Sequence, residues 1–129
     1  MIGYVTLGTN DMERAAAFYD ALLAELGAGR FLDEETFIAW SVSPDQPGLS
    51  VTKPFDGNPA TVGNGVMVAL MVDSTEKVDA MYRKALELGA TDEGEPGFRG
   101  DGFYGAYFRD LDGNKLNFFW ADMSVFAEQ

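Results

Sequence analysis

Residues 5–26 superpose without a gap on residues 68–89 when the sequence is slid by 63 positions, and six of the 22 aligned positions are identical: Val5 with Val68, Leu7 with Leu70, Glu13 with Glu76, Ala17 with Ala80, Tyr19 with Tyr82 and Leu23 with Leu86. In both copies a short apolar stretch leads into a capping signal and then into one-sided apolar spacing. Apolar residues fall at 12, 15, 16, 19, 22, 23 and 26 in the first copy and at 78, 81, 82, 85 and 88 in the second, the pattern of an amphipathic helix. Asn10 is expected to cap the first helix with Glu13 reaching back, and Asp73-Ser74-Thr75-Glu76 offers the same signal for the second. Gly27 and Gly89 supply the stops. Matched helical periods alone would align apolar classes, so the shared cap in one register is what makes the repeat an internal duplication.

Each predicted helix is followed by β-like segments. These are Gly29–Leu32, Thr36–Val42 and Gly48–Lys53 in the first half, then a segment around Thr91, Phe103–Arg109 and Lys115–Ala121 in the second. Both halves therefore read βαβββ. The Gly- and Pro-bearing stretch Phe55–Asn64 is the linker between module one, residues 1–55, and module two, residues 64–121. A single unit of about 55 residues would leave one sheet face bare, so the expectation is one domain spanning 1–129 in which the two modules pack together. The predicted fold class is α+β, with two tandem βαβββ modules forming a curved, cup-shaped mixed sheet and helices on its outer face.

Composition narrows the chemistry. The chain has no His and no Cys, which excludes imidazole-based triads, His- or thiolate-held zinc, disulfides and cysteine nucleophiles. Nine basic against 21 acidic residues give a net charge of −12, a field that repels nucleic acid and anionic lipid. The longest strongly apolar run is the seven residues Val66–Val72, far short of a membrane span, and no basic leader precedes it. A cytoplasmic protein with neither nucleic-acid nor membrane partners is expected.

Three stretches carry a family resemblance: Tyr4-Val5-Thr6-Leu7-Gly8 with Asn10-Asp11 and Ala17-Phe18-Tyr19; Gly65-Val66-Met67-Val68-Ala69-Leu70; and the closing Tyr107-Phe108-Arg109-Asp110-Leu111-Asp112-Gly113-Asn114-Lys115-Leu116. Together they resemble the vicinal oxygen chelate superfamily, which includes glyoxalase I, fosfomycin and bleomycin resistance proteins, extradiol dioxygenases and methylmalonyl-CoA epimerase. The closing motif is the most specific, with Leu111 where the family usually has Pro. The resemblance implies a cup-shaped sheet, commonly a homodimer, and in metal-dependent members a divalent ion held by first-strand and last-strand side chains. By position those ligands fall on Tyr4, Met67 and Asn117, with a further one near Ser50. A phenol, thioether, amide and hydroxyl bring no negative charge to a cation at neutral pH, so no metal or other cofactor is expected.

If Tyr4 faces the cup, strand alternation sends Thr6 and Gly8 there, with Met67, Ala69 and Met71 from the second module and Asn117 and Phe119 from its last strand. Trp40, Phe55, Phe103, Tyr104, Tyr107 and Trp120 are candidates for stacking on a planar ligand, Trp40 and Tyr107 foremost. Arg99, in the flexible stretch Gly94–Gly102, is placed to lie over the cup and bind a carboxylate or phosphate. The ligand-binding set is thus Tyr4, Trp40, Met67, Met71, Arg99, Tyr107, Asn117 and Phe119, with no catalytic residue assigned. The alternative is that these side chains fill the concavity as ordinary core. Glu34, Glu35, Glu93 and Glu95 lie in polar sequence and are expected in solvent, and Asp110–Asn114 reads as a hairpin turn rather than a calcium loop. The expected function is metal-free binding or sequestration of a small organic molecule. Its alternative is a metal-dependent lyase or dioxygenase, of the lactoylglutathione lyase type, using an atypical carboxylate site.

Overall fold

A computed structural model describes residues 1–127. Two compact units emerge, residues 1–64 with 111–114, and residues 65–110 with 115–127. Each contains a four-stranded mixed sheet carrying one long helix, so the duplicated βαβββ pattern is realised as two separate sheets rather than one.

In the first unit the elements are β1 (Tyr4–Gly8), α1 (Met12–Ala24), β2 (Gly29–Asp33), β3 (Phe37–Ser41) and β4 (Gly48–Thr52). The sheet order is β1-β4-β3-β2. β4 enters between β1, with which it is parallel, and β3, with which it is antiparallel. The helix makes that parallel pairing possible, because a strand cannot return alongside its predecessor in the same direction without a crossover. Leu7, Ile38, Trp40, Leu49 and Val51 form one sheet face and are buried, together with Ala15, Phe18, Tyr19, Leu22 and Leu23 of α1.

The second unit repeats this arrangement with β5 (Val68–Met71), α2 (Thr75–Glu87), β6 (Thr91–Phe98), β7 (Phe103–Arg109) and β8 (Lys115–Ala121) in the order β5-β8-β7-β6. A short α3 (Met123–Ala127), absent from the sequence reading, follows. Phe108 and Phe118 stack at 5.4 Å, and both are buried along with Leu116, Val78, Met81, Tyr82 and Ala85.

The helix caps refine the sequence reading. Asp11, not Asn10, is the N-cap of α1, accepting from the Arg14 amide at 3.0 Å; Asn10 instead exchanges two hydrogen bonds with the backbone of Ala60. Ser74 caps α2 through the Lys77 amide. At the other end both helices finish identically. The Ala28 and Gly27 amides bond to Leu23 O and Ala24 O, and the Ala90 and Gly89 amides to Ala85 O and Leu86 O. This is the paired-bond stop that needs a left-handed residue, and Gly27 and Gly89 have φ of 78° and 106°.

β6 also departs from expectation. Gly94, Pro96 and Gly97 suggested a flexible loop, yet the strand runs to Phe98. It lies at the sheet edge and shifts register between Asp92 and Gly94 and again between Gly94 and Gly97. An edge strand tolerates a residue with no amide hydrogen, and bulges absorb the misfit.

Each helix is fastened to its sheet by an aromatic donor and a helical carboxylate. Trp40 Nε1 donates to Asp20 Oδ1 at 2.8 Å, and Tyr104 Oη donates to Asp79 Oδ1 at 2.7 Å. A third bond, Tyr82 Oη to Asp92 at 2.9 Å, runs from α2 to β6; burial of that phenol, with the neighbouring carboxylate, pushes its pKa to about 12. Asp20 also receives both Nε and Nη2 of Arg30. The Arg30 hydrogen bond holds the Asp20 carboxyl below its ordinary range; partial burial opposes this, and the Trp40 hydrogen bond adds to it.

A carboxyl whose pKa is depressed by folding contributes stability above its unfolded pKa and loses it as pH falls through the folded value. Because Asp20 is well exposed, the ion pair with Arg30 is worth less than about 1 kcal/mol. Replacing Asp20 by Asn keeps an acceptor for Trp40 and should cost no more than that, while flattening the stability loss below about pH 4. Replacing it by Ala strands the buried indole N–H and should cost about 1–3 kcal/mol. Urea denaturation of both variants from pH 3 to 7 checks the pair.

Candidate functional site

The face of each sheet opposite its helix carries the side chains of interest. In the first unit, β1 places Tyr4 and Thr6 there, opposite Gly48 and Ser50 of β4, with Ala39 beyond Ser50 on β3. Tyr4 is 58% exposed, and its ring meets that of Phe37 edge-on at 6.1 Å. Ser50 is fully buried but satisfied, because its hydroxyl lies 2.8 Å from Thr6 Oγ1 and 2.9 Å from Val5 O, to which it donates.

In the second unit the corresponding face collects five residues of the predicted set. β5 presents Ala69 and Met71 opposite Asn117 and Phe119 of β8, and Tyr107 of β7 is the other neighbour of Asn117. Phe119 stacks on Phe103 at 5.2 Å with the rings nearly parallel. Arg99, just past the end of β6, brings its guanidinium carbon to 5.5 Å from the Tyr107 ring centroid. From the other side of β7, Lys115 of β8 brings Nζ to the same distance from the same centroid. Arg99 also donates to Glu95 O. Met71, at 60% exposure, stands open.

Asn117 is the anomaly on this face. It has no exposed surface, its Nδ2 donates to Phe118 O, and its Oδ1 is buried without a hydrogen-bond partner. The repeat explains the difference from the first unit. Ser50 is the register partner of Thr6, and Asn117 is the register partner of Ala69, the residue 63 positions after Thr6. Where the first unit supplies a hydroxyl, the second supplies a methyl group. An unmet buried acceptor costs about 1–3 kcal/mol, so this face carries a cost that its twin avoids.

Trp40 does not belong to the set. As the residue after Ala39 it points to the helix side, where it is 1% exposed, holds Asp20 and packs on Tyr19 at 5.7 Å. Its donor is consumed by the fold, and it cannot stack on a ligand. Met67 sits immediately before β5, 42% exposed. Phe103, one of the aromatic stacking candidates, joins this face, and Lys115 is an addition to the expected residues. Phe103 follows from pairing β7 with β8, which sequence spacing alone does not register, and Lys115 follows from two-residue alternation with Asn117. Two grooves also lie outside the expected site. One of about 390 Å³ runs beside α1, lined by Glu13, Asp20, Glu34, Glu35 and Ile38 among others. Another of about 400 Å³ is lined by Asn10, Thr36, Lys53, Asn58 and neighbouring residues.

The donors at the four carried-over metal positions do not suit a divalent ion. Tyr4, Ser50 and Met67 are neutral, and Asn117 offers a single amide oxygen. Among the described residues no three His, Cys, Asp or Glu side chains gather in a way that could hold a metal. Hard cations need several oxygen donors, including carboxylates, to offset dehydration.

Comparison with known proteins places this geometry in context. The family model described as the glyoxalase/bleomycin resistance protein/dioxygenase superfamily matches residues 1–118. A crystal structure of a glyoxalase/bleomycin resistance protein from Albidiferax ferrireducens T118 is 39% identical over 92% of this chain and 97% of its own, with a TM-score of 0.84. The hypothetical protein SA1046 from S. aureus is 28% identical over 94% and 93% of the two chains, TM-score 0.73. Lactoylglutathione lyase from Agrobacterium tumefaciens shares the fold at 19% identity, covering 92% of each chain with a TM-score of 0.67. No curated protein matches significantly. Matched over nearly its whole length by the family model, the chain belongs to the glyoxalase/bleomycin resistance protein/dioxygenase superfamily.

Proposed function

We propose that this chain binds a small organic molecule without a resident metal, using the open face of the second sheet. The observation that carries the reading is the partnerless Oδ1 of Asn117, set among Met71, Phe119 and Tyr107. Small-molecule sites combine apolar and aromatic walls with a few polar groups that fix orientation. Asn117 is covered in the fold, so a ligand that displaces a neighbouring side chain would bring a hydroxyl or N–H to the unmet acceptor, while the stacked Phe103–Phe119 pair and the adaptable Met71 side chain supply apolar contact. Sequestration needs only such binding, which fits a chain with no imidazole or thiol at its disposal.

The donor chemistry at Tyr4, Ser50, Met67 and Asn117 supports the metal-free part of the reading. Protein purified without tags or chelators should therefore hold less than about one tenth of a divalent ion per chain by elemental analysis, also after incubation with Zn, Mn, Ni or Fe salts. One tightly held ion per chain would overturn it in favour of metal-dependent lyase or dioxygenase chemistry.

The Asn117 role has its own test. Ala69→Thr copies into the second unit the hydroxyl that satisfies Ser50 in the first. The variant should gain about 1 kcal/mol of stability by urea denaturation, from a satisfied acceptor and a better strand former. It should also bind planar aromatic acids, alcohols and amines at least several-fold more weakly. Gain in stability with unchanged binding would remove Asn117 from ligand recognition.

A further inference from the structure

Resting on the reading that the second sheet binds a small organic molecule, we infer that its ligand class is an organic anion with a planar apolar body, selected by Arg99 and Lys115 on either side of Tyr107. Acidic residues outnumber basic ones 21 to nine, so a cation in this protein has ample opportunity to pair. Arg30 takes Asp20 and Asp33, Arg14 takes Asp112, Lys84 takes Glu87 and Arg109 takes Glu93. Among the described residues Arg99, Lys115, Lys53 and Arg83 form no ion pair, and of these Arg99 and Lys115 are distinguished by converging on one aromatic ring, each 5.5 Å from its centroid.

Two like charges brought to one ring repel each other. Attraction to the ring quadrupole offsets only part of that, and a bound anion would relieve the remainder. Tyr107 also adjoins Asn117 across the β7–β8 ladder, so an anionic group near the two cations leaves its planar body lying toward the Phe119–Phe103 stack. The overall charge of −12 does not cancel this attraction. Exposed carboxylates more than about 8 Å away are largely screened at physiological salt, whereas contact charges at the site are not.

Arg99 is held ready for the task. Its guanidinium donates to Glu95 O, and it lies over Gly97, where an added Cβ would come within 2.8 Å of its Nη1 and shift it. The guanidinium fork is suited to carboxylate or phosphonate oxygens in a way that an ammonium is not.

Three probes of one shape separate the ligand class from the underlying reading: 2-naphthoate, 2-naphthamide and 2-naphthylmethylammonium, titrated into the full chain by calorimetry at 0.15 M salt. The naphthoate is expected to bind at least about ten-fold more tightly than the amide, with the ammonium weakest. Arg99→Gln and Lys115→Gln should each reduce naphthoate affinity several-fold and amide affinity by much less, whereas Arg83→Gln, an equal loss of charge at an exposed position of α2, should change neither. Amide or ammonium binding as tight as the naphthoate, or a naphthoate preference that survives Arg99→Gln/Lys115→Gln, would overturn the anion assignment while leaving the small-molecule reading intact. Binding of none of the three would overturn both.

Discussion

Insertion of the last strand of each module between the first and third is the constraint on which the rest of this protein depends. It forces a parallel pairing, β1 with β4 and β5 with β8, and therefore requires a helix to carry the chain across. The inserted strand is hydrogen-bonded on both edges and covered by the helix on one face, so β4 is buried almost throughout and Leu116, Asn117 and Phe118 are buried in β8. Everything chemically unusual about the molecule follows from what stands on the other face of those two strands. A polar residue placed there is already desolvated by the fold and must find its partner among two register neighbours or outside the protein.

The first unit solves that problem internally and the second does not. Ser50 has Thr6 beside it, while Asn117 has Ala69. A duplicated architecture inherits the same backbone geometry at both places, so the difference is carried by side chains alone. The fastening of helix to sheet shows the same freedom. An indole N–H on β3 reaches a carboxylate on α1, a phenol on β7 reaches a carboxylate on α2, and the two pairs are not equivalent in the repeat. What was duplicated is the ladder and the helix stop; the polar contacts were found separately.

Much of this was legible in the sequence because its causes are local. Helical spacing, the 63-residue offset and the glycine stops at 27 and 89 are short-range features, and they locate both helices and seven of the eight strands closely. The eighth, β6, reads as loop beyond its start because Gly94, Pro96 and Gly97 discourage strand in isolation. Its long ladder against β7 overrides that preference, at an edge where a missing amide is harmless. Asn10 lost the cap to Asp11 for a similar reason: its side chain is engaged by Ala60, a partner 50 residues away.

The site was legible only as far as alternation reaches. Period two sorts Met71, Asn117 and Phe119 onto one face, and it would have sorted Trp40 away from Tyr4 had the register of β3 against β4 been known. Which polar atom goes unsatisfied, and which cations share a ring, depend on pairing between strands that are distant in sequence. Net charge was the least informative quantity of all in this respect. It describes the field at long range, which salt screens within about 8 Å, whereas the surroundings of Tyr107 on the second sheet are set by Arg99 and Lys115, each 5.5 Å from its ring centroid. An acidic protein can therefore carry a locally basic patch, and here Arg99 and Lys115 meet at the Tyr107 ring without an ion pair among the described residues, while Arg14, Arg30, Lys84 and Arg109 engage Asp112, Asp20, Asp33, Glu87 and Glu93.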